Sequence, residues 1–326
     1  MRLNSAIKSF FGFFVIAIIT IGLAEFLLFF YEPTLLYRYE KGLFVKSDDY
    51  FYCLTPSVRK IHTQPEFKYL IESNSFGFRG QEPQFEAGFR VLVLGDSVGM
   101  GAGVPEGRNL CDMAQAHIEE NGQDADIFNT SISGYSTLNE LKVLNRWINE
   151  YGPHLVIYLF SWNDVYGRYT LDVRDGYLVP YSDKFPLLCA RVWLNRHSRL
   201  YCLIKKFYYS ITTDLDKKDH LLHPSDSQIR IILDDIKTMD KVSHDAGAGF
   251  VTIITTGVNI HPDSTEFMLK ALGKKDIKFY DWSAPETGGY DTDIYFKRDS
   301  HWNEKGHRKY GRYLYRIIDK AINGEL

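Results

Sequence analysis

From Phe89 onward, short apolar runs alternate with longer amphipathic stretches. Arg90 to Leu94, Ala125 to Asn129, His154 to Phe160, Gly249 to Thr255 and Ile277 to Tyr280 have the length of strands. The third run is apolar almost throughout, as a strand buried on both faces must be. Between them the apolar residues recur at helical spacing, over Asn109 to Glu120, Thr137 to Tyr151 and Ser227 to His244. In the last of these Ile229, Ile232, Leu233, Ile236 and Met239 share one stripe, and Gly247 ends it. Asn303 to Ile322 reads as a further helix. Strand–helix alternation of this kind predicts an α/β fold: a three-layer α/β/α sandwich around a parallel, flavodoxin-like sheet of about five strands. No internal repeat is visible.

The chain before Phe89 follows other rules. Phe10 to Tyr31 is apolar except for Thr20 and Glu25. As a helix it would run about 33 Å, enough to cross the hydrocarbon layer. Arg2 and Lys8 precede it, which by the positive-inside rule sets the N-terminus in the cytoplasm and the rest beyond the membrane, periplasmic or extracellular. A signal peptide cut after Ala24 is the rival, but the run continues through Phe30 without a clean small-x-small site. We therefore read an uncleaved single-pass transmembrane anchor over 1–31, in which Glu25 needs a partner or a place near the interface. Residues 32–88 carry Pro56, Pro65 and Pro83 and read as an extended lead-in packed on the domain. The domain itself is expected over 89–326, with an insertion at about 165–225. Within that insertion Leu187 to Tyr209 suits a pair of short helices, starting anew near Asn195 or Ser198, made basic by Arg191, Arg196, Arg199, Lys205 and Lys206. A solvated helical face is the plain reading; a cap over an active site, or a surface for anionic lipid or glycan, is the functional one.

Composition narrows the classes. With 45% hydrophobic and 24% charged residues in 326, the chain can bury a large core. A net charge of −3 and the lack of any nucleic-acid module signature argue against nucleic acid as a partner. Cys53, Cys111, Cys189 and Cys202 lack metal-ligand spacing; Cys189 and Cys202 are the nearest candidates for a disulfide, and Cys111 reads as a buried thiol.

Chemistry is concentrated at the ends of the predicted strands. The first delivers Gly95-Asp96-Ser97 into a glycine-punctuated turn, exposing a hydroxyl where a following helix would offer free N–H groups and a positive dipole end. Neither a dinucleotide loop nor a phosphate loop fits, because Gly99, Gly101 and Gly103 have the wrong spacing and no Lys-Ser/Thr follows. Taken singly, Ser97 could be a helix cap, Gly134 a turn residue and Asn163 the cap of the next turn. Together they stand after the first, second and third strands. Asp299 and His301 then precede the last helix, supplying a base and a carboxylate to orient it. His307 lies inside that helix and reads as a surface or packing residue.

In these blocks the chain resembles the SGNH (GDSL) hydrolase superfamily. Gly95-Asp96-Ser97 is similar to its first block, Gly134 to the second, Asn163-Asp164 to the third, and Asp299 with His301 to the last; the resemblance runs from about Ser75 to Ile322. Many members have two residues between the Asp and the His, whereas only Ser300 intervenes here. The Asp-x-His-Trp form looks like the membrane-anchored and polysaccharide O-acetylating members. The resemblance implies the SGNH hydrolase fold and a serine esterase acting through a covalent acyl-enzyme. Ser97, His301 and Asp299 would be catalytic. The Ser97 and Gly134 N–H groups and the Asn163 amide would form the oxyanion hole. No metal or organic cofactor is called for. The substrate would be a small-molecule, lipid or glycan ester beyond the membrane. An O-acyltransferase modifying a cell-surface or exported polysaccharide, and an inactive glycan-binding or scaffold protein, are the alternatives.

Overall fold

The computed structural model describes residues 2–31, 36, 40–64, 66–166, 171–180, 187–212, 225–255, 262–275, 277–282, 292–297, 299 and 301–326. They fall into two compact units, one of Met1–Tyr39, Thr63–Pro65 and Asp183–Lys217, the other of Glu40–His62, Glu66–Ser182 and Lys218–Leu326.

Along the chain, helix α1 (Arg2–Tyr31) comes first. Two strand pairs follow, β1 (Phe44–Ser47) with β2 (Phe51–Leu54), and β3 (Arg59–Thr63) with β4 (Lys68–Glu72). Next come β5 (Phe89–Gly95), α2 (Ser97–Met100), α3 (Leu110–Glu120), β6 (Ala125–Asn129), α4 (Thr137–Glu150) and β7 (Leu155–Phe160). After a 3-10 turn over Trp162–Tyr166 the chain makes β8 (Leu171–Arg174) and β9 (Tyr177–Pro180), an antiparallel pair. Helices α5 (Leu187–His197) and α6 (Arg199–Thr212) belong to the same unit as α1. The larger unit is completed by α7 (Asp226–Asp245), β10 (Gly249–Ile254), α8 (Pro262–Lys274), β11 (Phe279–Asp281) and α9 (Glu304–Ile322).

The central sheet has the strand order β11-β10-β7-β5-β6, and every neighbouring pair is parallel. Its side chains divide by the two-residue period of a strand. Val91, Val93, Leu155, Ile157, Leu159, Val251 and Ile253 pack on one face with Leu110, Ala114 and Ile118 of α3 and Tyr310, Leu314 and Ile318 of α9. Leu92, Leu94, Val156, Tyr158, Phe160, Phe250 and Ile254 pack on the other with Val143, Leu144 and Trp147 of α4 and Ile232, Leu233 and Ile236 of α7. Full burial of each such side chain contributes about 1.5–3 kcal/mol, so the two-sided core dominates the fold. This is the predicted α/β/α sandwich. Helix starts carry the expected caps: Asn109 Oδ1 accepts from Cys111 and Asp112, and Ser225 forms a capping box with Gln228.

Several elements differ from the sequence reading. The lead-in is not merely extended, since it holds two strand pairs whose Tyr50, Tyr52 and Leu54 enter the core. Strands of four or five residues are too short to show a period through the intervening prolines. The helix after Ser97 is a single turn, ended by Gly101 at φ +79°, so it offers little of the dipole expected of a long helix. Helix α8 was not foreseen. No disulfide joins Cys189 to Cys202 or any other pair of the four cysteines: Cys53, Cys111 and Cys202 are buried, the last with its thiol 3.5 Å from the Asn195 carbonyl, while Cys189 is exposed.

One buried cation ties the segment before the sheet to the turn after β5. The guanidinium of Arg79 donates to the carbonyls of Met100 (3.0 Å), Gly101 (2.6 Å) and Val104 (2.7 Å), and to the Glu106 carboxylate at 2.7 Å. Removing it takes a donor from the Met100 and Val104 carbonyls, while Gly101 keeps the Val104 N–H and Glu106 the Glu72 N–H. Arg79→Met should lower stability by about 3–5 kcal/mol in urea unfolding of the whole chain in detergent. Arg79→Lys should recover little of that, since an ammonium cannot reproduce the planar fork.

Candidate active site

Strand β5 lies between β6 and β7, so whatever follows its last residue stands between the loops that follow those two. Asp96 and Ser97 come next. Asp96 is buried, and its Oδ1 accepts from the Val98 N–H at 2.9 Å and from the Ser161 hydroxyl at 2.9 Å. One carboxylate thus closes the turn and fastens it to the end of β7. The Ser97 hydroxyl lies 3.4 Å from Asp96 Oδ2 and 2.8 Å from His301 Nε2.

His301 is held from both sides in sequence. Asp299 Oδ1 accepts its main-chain N–H at 2.9 Å and stands 2.5 Å from its ring Nδ1. On the other side Trp302 is buried, stacked on Tyr310 of α9 at 4.2 Å and tilted against Trp282 at 6.3 Å. Asn303 Oδ1 caps α9 through Lys305 and Gly306, while its amide donates to the carbonyls of Asp293 and Tyr295. Gly306 makes this packing possible, since a Cβ there would meet the Ile294 carbonyl at 2.6 Å and Trp302 Cβ at 2.8 Å. His307 is fully buried against Trp302, and burial pushes its pKa down to about 3, so it packs as a neutral ring.

The electrostatics of the pair follow from this geometry. Burial disfavours the His301 cation, but the hydrogen bond and charge of Asp299, with the charge of Asp96, outweigh it, and the imidazole is raised above its ordinary value. Burial likewise works against the Asp299 carboxylate, yet the His301 hydrogen bond and charge hold its pKa below the usual range. The His301 side chain is 28% exposed, so a ligand can reach it.

Gly134 stands on the loop between β6 and α4 with φ +82°, a backbone that favours glycine. A Cβ there would also strike Leu171 Cδ1 at 2.2 Å. Asn163 lies in the 3-10 turn after β7; its side chain lies outside the described part of the structure. Gly134 and Asn163 therefore follow the two strands that flank β5. Among the described residues, no three His, Cys, Asp or Glu side chains converge to hold a metal ion.

The sequence reading places Asp164 in the third block but misses its buried partners, Glu140 among them. Asp164 Oδ2 accepts from the Tyr158 hydroxyl at 2.9 Å and from the Ser161 N–H at 3.2 Å, and the same Ser161 hydroxyl holds Asp96. Glu140 of α4 is buried nearby. Burial, then the neighbouring carboxylates, push the pKa values of Glu140 and Asp164 well above the usual carboxylate range. Glu140 could have been found, because it lies on the stripe of α4 that also carries Val143, Leu144 and Trp147.

No family model matches the chain. It is 34% identical over 79 residues to an arylesterase of Vibrio mimicus, a match covering 24% of this chain and 40% of the relative. The match thus spans two-fifths of that relative's length. Among solved structures, the chain is similar to one described as TesA at 14% identity and TM-score 0.47, covering 71% of this chain and 99% of that one. It is likewise similar to the psychrotrophic esterase EstA from Pseudoalteromonas sp., at 15% identity and TM-score 0.46, covering 72% and 98%. Neither structural likeness bears on substrate or activity.

Proposed function

We propose that this chain is a serine esterase that cleaves an acyl ester through a covalent intermediate on Ser97. The observation that carries the reading is the 2.8 Å approach of His301 Nε2 to Ser97 Oγ, with Asp299 behind the ring at 2.5 Å. In the attack His301 takes the hydroxyl proton as Ser97 Oγ bonds to the acyl carbon. It returns that proton to the leaving alcohol as the ester C–O bond breaks. Water then repeats the sequence on the acyl-serine, releasing the acid and restoring the hydroxyl. Asp299 keeps the ring oriented and stabilises the imidazolium. In this reading the N–H groups of Ser97 and Gly134 and the side-chain amide of Asn163 donate to the oxygen that gains charge. The curated relative named an arylesterase supports ester hydrolysis. Arg2 and Lys8 ahead of the apolar run support an N-terminus in the cytoplasm and an O-acylated substrate beyond the membrane.

Fluorophosphonate labelling of the full chain should be lost in Ser97→Ala, and p-nitrophenyl acetate turnover should vanish with it. Labelling that persists in that variant would remove Ser97 from the role. Asn163→Ala should keep the label site but lower kcat by about 10²–10³. If p-nitrophenol is released only when a sugar acceptor is present, and acetylated sugar forms in place of acetate, the acyl group goes to an alcohol and the enzyme is a transferase.

The pH profile follows from the raised pKa of His301. A base must be neutral, so kcat/KM should rise with pH and reach half its plateau above the ordinary imidazole value of about 6.5. Asp299→Asn should move that midpoint down and cost about 10⁴ in kcat. For stability the sign is opposite: the contribution of the His301–Asp299 pair is complete between the ordinary carboxyl and imidazole values, about pH 3.9 and 6.5, and is lost as pH rises through the raised His301 value or falls through the lowered Asp299 one.

A further inference from the structure

A carboxylate inside an apolar span is costly unless something satisfies it. Ser9–Tyr31 is long and apolar enough to cross a membrane, and Glu25 lies within it. Its Oε1 accepts from the Ser198 hydroxyl at 2.5 Å and the Leu200 N–H at 3.1 Å, and its Oε2 accepts from the Arg199 N–H at 2.8 Å. These N–H groups belong to the first turn of α6, which has no intrahelical partners for them. Glu25 of α1 is thus the cap of another helix. In water this exchange would gain little, because the N–H groups would be hydrated; away from water it satisfies two costly groups at once. Arg199 also lies over the Phe29 ring, 5.0 Å from its centre. Glu25 stands six residues before Tyr31, about 9 Å along the axis, so α6 starts near the boundary of the hydrocarbon.

The surface of α6 fits that location. Cys202 is buried, and Lys205 bonds Asn195 Oδ1 of α5 at 2.5 Å. Another face presents Leu203, Ile204 and Phe207, exposed by 38, 58 and 65%. On α5 Trp193 is exposed and stacked on His197. Leu187 to Thr212 holds five Arg or Lys residues and no Asp or Glu. An apolar helical face with aromatic and basic flanks is the pattern of a helix lying in the interface of an anionic membrane.

We propose that α6 is a second membrane element. It lies against the lipid of the leaflet at the carboxyl end of α1, with Leu203, Ile204 and Phe207 turned to the acyl chains and Glu25 holding its N-terminus at the boundary. The proposal rests on α1 being a retained span, and the test separates the two. The full chain, with Cys189→Ala and the other cysteines buried, is reconstituted in phosphatidylcholine–phosphatidylglycerol vesicles. A single environment-sensitive NBD label is placed through Ile204→Cys, Ile19→Cys in α1 or Lys237→Cys on α7. Doxyl-labelled lipid should quench the labels at 204 and 19 alike and leave that at 237 bright. A label at 204 that behaves like the one at 237, while that at 19 is quenched, overturns the proposal and leaves the span standing. A label at 204 shielded from both doxyl lipid and aqueous iodide overturns it in favour of a protein contact. If the label at 19 also escapes quenching, the span reading falls and the proposal with it. Glu25→Leu keeps α1 apolar but removes the cap, so it should abolish quenching at 204 and spare it at 19; quenching at 204 that persists overturns the role given to Glu25.

Discussion

All strands of the central sheet run the same way, and that one constraint organises the larger unit. Parallel strands need crossovers, the crossovers lay helices on both faces, and every strand must then release its chain at the same edge. The order β11-β10-β7-β5-β6 puts β5 inside, so the turn after Gly95 is bordered by the loops leaving β6 and β7. Residues 97, 134 and 163 come after β5, β6 and β7, three neighbouring strands of that sheet. The backbone hydrogen bonds of β5 therefore position the serine as firmly as any contact the serine makes.

The histidine reaches the same edge by another route. It sits on no strand, and its ring depends on neighbours in sequence that are locked in place. Trp302 is clamped by Tyr310 and Trp282, Asn303 caps α9 and ties it to Asp293 and Tyr295, and Gly306 lets those layers close. Asp299 then needs only to hold the ring. Ser161 and Asp164 do the equivalent work on the serine side, by way of Asp96. Burial and mutual proximity raise the pKa values of Glu140 and Asp164, so the carboxyls behind Asp96 resist ionising together.

The smaller unit shows a different economy. α1 and α6 each carry a group that would be expensive in an apolar setting, a carboxylate on one and the Arg199 and Leu200 N–H groups of a helix start on the other, and each satisfies the other. A fold that relied on water for these groups would have no use for the contact. The concentration of basic and aromatic residues in α5 and α6 has the same physical sense as the carboxylate that caps them.

Periodicity alone determined the five parallel strands, the helices α3, α4, α7 and α9, and the apolar run of α1, because each buries a regular face large enough to leave a pattern. The order of Ser97, Gly134, Asn163, Asp299 and His301 was legible too, since strand ends and turn residues mark themselves. What the sequence could not decide was anything set by contacts distant along the chain. The pairing of the short lead-in strands, the reach of Arg79 to three carbonyls, the burial of Glu140 and Asp164, and the meeting of Glu25 with residues 198–200 all lie in this class. Their energies come from desolvation and from partners far off in sequence, and local pattern carries no record of either. The 2.8 Å between His301 and Ser97 belongs there as well: chain order placed the two residues at one edge, and only the packing around Trp302 fixed the ring on the hydroxyl.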